Sequence, residues 1–266
     1  MFDGFNRRIH YLRISVTDRC NLRCIYCMPE EGIRQISHSQ VLRYEEIACV
    51  AEEAVKLGID KIRITGGEPL VRRGLASLVR MLSRIGGIRD LSMTTNGILL
   101  SQYAGDLKHA GLDRVNISLD TLDSHRYRVI TRGGEVANVL RGIRIAKKAG
   151  LDPIKINCVV DEGTSLQERE NITAFGIREG LEVRFIRRMN LETGCFTTVE
   201  GGDGGNCVNC NRLRLTADGK LRPCLFSNLE FDIRRSGIRE ALIKAIGEKP
   251  EKGTVNTLSS FYNVGG

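Results

Sequence analysis

Two groups of three cysteines are the residues of this chain best suited to chemistry. One group is Cys20, Cys24 and Cys27, spaced C-x3-C-x2-C, and the other is Cys207, Cys210 and Cys224, spaced C-x2-C-x13-C. Three thiolates can hold three irons of a [4Fe-4S] cluster and leave the fourth iron without a protein ligand. Because such an iron can bind a small molecule, each group predicts a cluster with one open coordination position.

A zinc ion is the alternative at both groups, since cysteine thiolates also hold zinc. At the first group, zinc would need a remote fourth ligand. At the second group, Cys195 would complete a four-cysteine site, because all four histidines lie before residue 126. The spacing of the second group leaves iron and zinc open, and the role of Cys195 decides between them.

The composition is that of an ordinary globular protein with an excess of positive charge. Hydrophobic residues make up 41% of the 266 residues, charged residues make up 27%, and the formal net charge is +8. No apolar run approaches the ~20 residues that span a bilayer, and no secretory signal is visible. These features predict a cytoplasmic protein whose nine cysteines stay reduced. The charge suggests an anionic partner such as a nucleotide phosphate, RNA or a phospholipid head group, or else a generally basic surface.

Strand-like and helix-like segments alternate along most of the chain. Short β-branched runs occupy 9–16, 60–66, 91–96, 113–119, 153–160 and 181–186, and amphipathic segments occupy 44–58, 74–87, 100–111, 138–150 and 166–180. This alternation predicts βαβ units around a parallel sheet. Six units are too few to close an eight-stranded barrel. We therefore expect an α/β fold, a partial (βα)6 barrel of the TIM type, with functional groups at the C-terminal ends of its strands.

The chain changes character after the sixth predicted strand. Residues 190–206 read as a loop rich in glycine and threonine, 210–226 as a hairpin turned at Asp218-Gly219, 236–247 as a helix, and the end as a flexible tail. We therefore divide the chain into a barrel at 1–189 and a small C-terminal α+β cluster domain at 190–266. Cys49 and Cys158, which lie in a predicted helix and a predicted strand, are interpreted as small core residues.

The first 190 residues resemble the radical S-adenosylmethionine (SAM) enzymes. The resemblance is carried by the spacing of the first cysteine group, with Tyr26 before its third cysteine, and by the run Gly66-Gly67-Glu68-Pro69 after the second strand. It implies a [4Fe-4S] cluster whose open iron chelates SAM, and cleavage of SAM to a 5′-deoxyadenosyl radical that abstracts a hydrogen from the substrate. No protein acid or base is implied. SAM binding is assigned to Tyr26, Gly66, Gly67, Glu68, Thr94, Asn96, Ser118 and Met189, although Thr94 and Ser118 could instead only cap strand ends.

The second cysteine group resembles the GTP 3′,8-cyclase family of molybdenum cofactor biosynthesis. Residues 207–226 read CVNCNRLRLTADGKLRPCLF, and the Gly265-Gly266 end is similar to that family's tail. The resemblance implies a lyase that converts GTP into (8S)-3′,8-cyclo-7,8-dihydroguanosine 5′-triphosphate, with the guanine bound at a second [4Fe-4S] cluster. GTP binding is assigned to Arg13, Lys61, Arg63, Lys155, Arg184, Arg212 and Arg214. Cations in buried parallel strands are costly unless they face an anion, which suits this assignment.

Two features depart from that family. The stretch between the sixth strand and the second cysteine group is usually several dozen residues longer, and here it is reduced to 190–206. The sixth strand ends in Phe185-Ile186-Arg187-Arg188-Met189, where the family typically has a glutamate and an aromatic residue after the isoleucine. Arg187 and Arg188 add positive charge near the expected phosphate end, which leaves the substrate preference open.

The resemblance also implies partners. They are GTP, an electron donor such as flavodoxin or ferredoxin, cyclic pyranopterin synthase as the next enzyme, and a second copy of the chain in a homodimer; neither a membrane nor nucleic acid is expected. Two alternatives are a radical SAM peptide-modifying enzyme with an auxiliary cluster and a zinc-binding nucleic-acid module. The first would not need seven cations, and the second is disfavoured by the aromatic content of 5% and the absence of Trp.

Overall fold

The computed structural model describes residues 1–258, which form one sheet of nine strands. The strands are β1 (Tyr11–Ser15), β2 (Lys61–Thr65), β3 (Asp90–Thr95), β4 (Arg114–Ser118), β5 (Lys155–Val160), β6 (Glu182–Arg187), β7 (Arg212–Leu215), β8 (Lys220–Arg222) and β9 (Phe231–Asp232). They lie side by side in the order β6-β5-β4-β3-β2-β1-β7-β8-β9. The Gly265-Gly266 end, to which a family resemblance was attached, lies outside the described residues.

Strands β1 to β6 are parallel neighbours, and helices join each strand to the next. The helices are α1 (Tyr44–Lys56), α2 (Leu75–Ser83), α3 (Leu100–His109), α4 (Ser124–Thr131), α5 (Val136–Lys148) and α6 (Leu166–Glu179). This arrangement confirms the predicted partial (βα)6 barrel. None of the helices among residues 1–258 has both the length and the apolarity needed to cross a bilayer.

Two helices differ from the prediction. The sequence did not predict α4, because its segment SHRYRVIT buries only Tyr127 and Thr131 and so lacks a wide apolar stripe. The helix begins where the Asp123 side chain accepts a hydrogen bond from the backbone N–H of Arg126. Helix α2 ends short of the predicted residue 87, where Gly87 has a φ of 105° that a helix does not accommodate.

Alternating side chains give the sheet an apolar outer face and a polar inner face. The outer residues are buried with the helices in one core, and they include Leu12, Ile14, Ile62, Ile64, Leu91, Met93, Val115, Ile117 and Ile156. On the inner face, Arg13 lies in register with Arg63, and Arg63 lies in register with Ser92. The next strand continues this row with Arg114. The barrel therefore surrounds a polar interior rather than an apolar one.

The C-terminal hairpin continues the barrel sheet. Strand β7 pairs in parallel with β1, which places Arg212 beside Tyr11 and Arg214 beside Arg13. Strand β8 then returns antiparallel to β7 after a turn in which Gly219 has a φ of 89°, so the predicted hairpin is confirmed. Instead of one helix at 236–247, the structure has α7 (Ile233–Ser236) and α8 (Ile238–Gly247). They are separated at Gly237, whose φ of 82° breaks the helix.

Arg7 ties the start of the chain to the C-terminal region. Its side chain is 7% exposed and pairs with Asp3 at 2.7 Å. The remaining guanidinium N–H groups donate to the carbonyl oxygens of Cys207 and Glu251, each at 2.8 Å, and of Pro250 at 2.7 Å. Because every one of these partners is fixed by the fold, Arg7 holds the second cysteine group against the N-terminal segment.

We expect Arg7→Ala to destabilise the protein by about 3–5 kcal/mol, because it leaves the Asp3 carboxylate buried without its partner. The measurement is thermal denaturation of the anaerobic, cluster-loaded protein, followed by circular dichroism. The matched control is Arg8→Ala: Arg8 pairs with Asp60 at 3.1 Å through a side chain that is 59% exposed. An exposed pair of this kind is worth about 0–1 kcal/mol. Equal melting temperatures for the two variants would contradict the role of Arg7.

Candidate active site

The first cysteine group lies in a loop that follows β1. The backbone N–H groups of Cys27 and Met28 both donate to the carbonyl oxygen of Cys24, at 2.9 and 3.0 Å, which folds the loop into a turn. Burial raises the pKa of the Cys27 thiol to about 12, and the nearby Cys20 adds to the rise. Burial, Asp120 and the two other cysteines raise the pKa of Cys24 as well. Cys20, Cys24 and Cys27 are half-buried and lie close enough for Cys20 to affect the ionisation of the other two, and three such thiols are the kind of donor set that ligates the irons of an iron–sulfur cluster.

The run from Gly66 to Glu68 packs directly against this loop. The N–H of Gly67 donates to the Thr17 carbonyl oxygen at 2.7 Å, and the N–H of Glu68 donates to the Arg19 carbonyl oxygen at 2.8 Å. A Cβ atom at Gly67 would overlap the Arg19 carbonyl group, so only glycine permits this approach. Glycine is therefore required at position 67, where the backbone passes closest to the start of the cysteine loop.

Glu68 is a buried carboxyl with three donors around it. Its oxygens accept hydrogen bonds from the Thr95 hydroxyl at 2.8 Å and from the backbone N–H groups of Asn96 and Leu70, at 2.7 and 3.0 Å. Burial raises its pKa to about 7, although these three hydrogen bonds oppose the rise. Asn96 also reaches the cysteine loop, since its side-chain amide lies 3.8 Å from the Cys20 sulfur and donates to Asn21 at 2.8 Å.

Tyr26 is held by a residue that the sequence reasoning left out of the site. Its hydroxyl donates to the Asp120 carboxyl at 2.7 Å, and the other oxygen of Asp120 accepts from the backbone N–H of Val159 at 2.8 Å. Burial raises the pKa of Asp120 to about 6. Asp120 lies two residues after β4, and its contact with Tyr26 spans 94 positions of the chain, so no local sequence pattern reveals it.

A cavity of about 980 Å³ lies beside the first cysteine loop, and Tyr26, Cys27, Met189 and Cys195 are among the residues that line it. Met189 and Tyr26, both assigned to SAM from the sequence, are thus brought to one cavity. Arg187 and Arg188, which depart from the family pattern, line it too. Cys195, which lines the cavity as Cys27 does, is exposed, and its backbone pairs with that of Asn190.

Two further residues assigned to SAM face the barrel interior from the neighbouring strands. Thr94 of β3 lies in register with Asn116 of β4, and Ser118 of β4 lies in register with Asn157 of β5. Both residues belong to the inner face, because alternate residues of a strand point to the same side of the sheet. The Thr94 hydroxyl is buried and has no hydrogen-bond partner within residues 1–258. A buried hydroxyl without a partner marks a place where a ligand can contribute one.

The seven cations assigned to GTP all share the inner face of the sheet. They are Arg13, Lys61, Arg63, Lys155, Arg184, Arg212 and Arg214, and each occupies an inner position of its strand. Arg63 donates to the Ser92 hydroxyl at 3.3 Å. Lys61 pairs with Asp90 at 2.9 Å, and Lys155 pairs with Glu182. Arg114, which the sequence reasoning missed, joins the row and pairs with Asp90 at 2.7 Å.

The arginines of this face repel one another in a buried setting. Burial lowers the pKa of Arg214 to about 10, and the neighbouring Arg212 contributes to the change. Burial and Arg214 also lower the pKa of Arg13. Burial lowers the pKa of Arg63 too, and the charges of Arg114, Arg184 and Arg212 lower it further. Such a concentration of positive charge favours a polyanion in the barrel interior.

The second cysteine group lies beside β7. The N–H of Cys210 donates to the Cys207 carbonyl oxygen at 3.2 Å, and Cys224 follows β8. Lys249, only 2% exposed, donates to the Arg212 carbonyl oxygen at 2.8 Å and also to Pro223. Burial opposes ionisation of Cys210, but Lys249 and Arg212 together outweigh it and lower the pKa of that thiol. A buried ammonium beside the cysteines fits a group that carries negative charge, as thiolate-bound clusters do.

No three His, Cys, Asp or Glu side chains in the described part of the chain are arranged to hold a metal ion. Cys210 and Cys224 are nevertheless close enough for each to act on Arg214. The stacked rings of Phe196 and Phe226, 4.4 Å apart, connect the loop that contains Cys195 to the segment after Cys224.

The family model described as "Radical SAM superfamily" matches residues 14–176. A relative named GTP 3′,8-cyclase from Thermodesulfovibrio yellowstonii is 45% identical over 322 aligned positions, which cover 100% of both chains. The GTP 3′,8-cyclase of Peptoclostridium acidaminophilum is 44% identical and covers 95% of this chain and 93% of its own. The chain belongs to the radical SAM superfamily and, within it, to the GTP 3′,8-cyclase family. As a radical SAM protein it uses a [4Fe-4S] cluster and SAM as cofactors.

Solved structures of radical SAM proteins share the fold. Native anSMEcpe with bound AdoMet has a TM-score of 0.66 at 16% identity and covers 91% of this chain and 81% of its own. Streptococcus suis SuiB bound to the precursor peptide SuiA has a TM-score of 0.59 at 18% identity and covers 71% of this chain and 41% of its own. The T. yellowstonii alignment is longer than the 266 residues of this radical SAM chain, so that relative contains residues without a counterpart here.

We expect SAM to bind this radical SAM protein more weakly as the pH falls through about 7, because the Glu68 carboxyl is protonated below that value. A neutral carboxyl accepts a weaker hydrogen bond from the amino group of SAM than a carboxylate does. The measurement is the SAM dissociation constant of the anaerobic, cluster-loaded protein across this range.

The control for that prediction is Glu68→Gln. It should bind SAM at least about tenfold more weakly above pH 7 and should lose this part of the pH dependence, since the charge-assisted contact is gone. Wild-type affinity that stays constant through pH 7, or a variant with the same profile as wild type, would show that Glu68 does not hold SAM.

Proposed function

We propose that this chain is a radical SAM GTP 3′,8-cyclase, a lyase that converts GTP into (8S)-3′,8-cyclo-7,8-dihydroguanosine 5′-triphosphate for molybdenum cofactor biosynthesis. The observation that carries the proposal is the inner face of the barrel. It presents seven cations, in a chain that is 45% identical to a relative of that name. A triphosphate, with about four negative charges, is the kind of anion that guanidinium forks and ammonium groups hold best.

The first site is assigned to the cofactor. In the proposal Cys20, Cys24 and Cys27 hold the first cluster, and Tyr26, Gly66, Gly67, Glu68, Thr94, Asn96, Ser118 and Met189 bind SAM. When bound, the cluster and SAM supply the one-electron chemistry that removes a hydrogen atom from the substrate. The protein contributes orientation: Glu68 is fixed by three donors, and Tyr26 is fixed by Asp120.

The second cysteine group is assigned to a second [4Fe-4S] cluster that binds guanine. Cys207, Cys210 and Cys224 are its proposed ligands, and Lys249 lowers the pKa of Cys210 beside them. Arg212 and Arg214 follow Cys210 on β7, and both belong to the face of the strand that lines the barrel interior. A nucleotide whose base is held near Cys210 would therefore extend its phosphates along the cations of β1 and β2.

The division into a barrel at 1–189 and a cluster domain at 190–266 belongs to the same proposal. In it the shortened 190–206 segment closes one side of the cavity that contains Tyr26, Met189 and Cys195. Arg187 and Arg188 add two cations to that wall. The remaining parts of the proposal are a cytoplasmic location, a flavodoxin or ferredoxin as electron donor, cyclic pyranopterin synthase as the next enzyme, and a homodimer.

We expect the anaerobically reconstituted protein to produce 5′-deoxyadenosine and a cyclised nucleotide from GTP, SAM and a reductant. Arg214→Ala should lower GTP turnover at least about a hundredfold, because a buried charge-assisted contact to phosphate is removed, while the iron content stays the same. The control is Arg234→Ala, an exposed cation of α7 that pairs with Glu46 at 3.4 Å and should retain wild-type turnover. Cleavage of SAM with GTP left intact, together with turnover of a peptide, would refute the cyclase and leave the superfamily assignment standing.

We expect replacement of Cys207, Cys210 and Cys224 by alanine to remove about half of the bound iron, since one of two similar clusters loses its three ligands. The measurement is iron and zinc analysis of protein purified under anaerobic conditions. Cys49→Ala is the control and should keep all of the iron, because Cys49 is exposed on α1, where the prediction of a core residue is wrong. Zinc in the wild-type protein that is lost in both the triple variant and Cys195→Ala would establish the four-cysteine zinc site instead.

A further inference from the structure

Tyr11 occupies a central place on the inner face that neither its residue type nor its spacing made apparent. It is the first residue of β1, and it lies in register with Lys61 on one side and Arg212 on the other. The side chain is almost fully buried, with 4% exposure. It therefore lies between two strands that each contribute cations to the proposed nucleotide site.

Three of those cations contact the Tyr11 ring. Lys61 Nζ lies 5.2 Å from the ring centroid, Arg63 Cζ lies at 5.3 Å and Arg212 Cζ lies at 5.7 Å. Each distance is within the range of a cation–π interaction, which is stronger where water is excluded. One aromatic ring thus gathers three positive groups that would otherwise move apart because of their mutual repulsion.

The Tyr11 hydroxyl is buried and has no hydrogen-bond partner among the residues that the structure describes. Buried phenol groups are normally paired, and leaving one unpaired is unfavourable. The carboxylate on this part of the inner face, Asp90, is already engaged by Lys61 and Arg114. An acceptor for the hydroxyl proton is therefore expected to come from a bound anion.

The charges around the hydroxyl make it a strong donor. Burial alone would raise the pKa of Tyr11, but Arg63, Arg13, Arg212 and Lys61 outweigh burial and lower it. A more acidic hydroxyl forms a stronger hydrogen bond to an anionic oxygen. This electrostatic setting agrees with the geometry of the ring and the unpaired hydroxyl.

We propose that Tyr11 is a positioning residue of the phosphate site: its ring holds Lys61, Arg63 and Arg212 in place, and its hydroxyl donates a hydrogen bond to a phosphate oxygen of the bound nucleotide. The proposal rests on the proposed function for the identity of the nucleotide. The inference that the ligand carries a polyphosphate is independent of that function, because it follows from the three cations and the unpaired hydroxyl.

The test separates the hydroxyl from the ring. Tyr11→Phe removes only the donor and should weaken GTP binding about tenfold, the effect of one hydrogen bond to a charged acceptor, while guanosine binding is unchanged. Tyr11→Leu removes the ring as well and should weaken GTP binding further, because the cations are no longer gathered. In steady state, Tyr11→Phe should raise KM for GTP more than it lowers kcat, since a phosphate remote from the reacting carbon is held in both ground state and transition state.

Tyr127→Phe is the matched control, because Tyr127 is also a buried tyrosine whose hydroxyl lacks a partner in residues 1–258. Tyr127 lies on α4, away from the cations of the inner face, and its variant should bind GTP as the wild type does. Circular dichroism and the melting temperature of each variant report whether it is folded. If Tyr11→Leu fails to fold, the comparison of Tyr11→Phe with wild type still tests whether the hydroxyl binds a phosphate oxygen.

Wild-type GTP affinity in Tyr11→Phe would overturn the proposal, and so would an equal loss of guanosine affinity, which would place the hydroxyl at the base or sugar. If the wild-type protein does not turn over GTP, the cyclase function fails, and inorganic tripolyphosphate then decides the role of Tyr11. Tyr11→Phe should bind tripolyphosphate about tenfold more weakly than wild type. Unchanged tripolyphosphate affinity would refute the phosphate contact whatever the substrate is.

Discussion

The fold depends on how a parallel sheet can carry buried positive charge on one of its faces. The outer face satisfies the hydrophobic effect, since Leu12, Ile14, Ile62 and Ile64 are fully buried against helices. The inner face then has to accommodate arginines whose burial and mutual repulsion lower their pKa values. Carboxylates such as Asp90 and Glu182 compensate part of this charge. The remaining positive charge is what makes the interior a site for a polyanion rather than a packed core.

Much of this arrangement could be predicted from the sequence because it depends on local periodicity. The alternation in YLRIS and KIRIT places Arg13 and Arg63 on the same side of their strands, and the glycines after the helices mark where each βα unit ends. The parallel pairing of β7 with β1 could not be predicted from local periodicity, because it joins segments about two hundred positions apart. Tyr11, Lys249 and the contact of Asp120 with Tyr26 were missed for the same reason: their importance comes from partners that are distant in the sequence.

The short 190–206 segment is a different case, in which glycine content indicates close packing as well as a loop. Gly194 has a φ of 69°, and a Cβ atom there would overlap the carbonyl oxygen of Thr254. Gly205 has a φ of 77° and meets the Thr197 carbonyl oxygen in the same way. The first contact holds the segment against the C-terminal part of the chain, where Phe196 also stacks on Phe226, and the second folds the segment tightly on itself. The segment therefore lines the cavity at Cys195 as a tightly packed loop.

Strand β1 sets the separation of the two cysteine groups. The chain leaves its C-terminal end toward Cys20, whereas β7, which runs parallel to it, begins two residues after Cys210. The groups therefore lie toward opposite ends of the same pair of strands. A strand of five residues spans about 16 Å, which is comparable to the length of an extended nucleotide. Tyr11 and Arg13 lie along this interval, so in the proposed function the strand that separates the SAM-cleaving cluster from the guanine-binding cluster also contributes contacts for the phosphates. Lengthening β1 would separate the sites, and shortening it would remove the cations, so its length and its inner residues are constrained together.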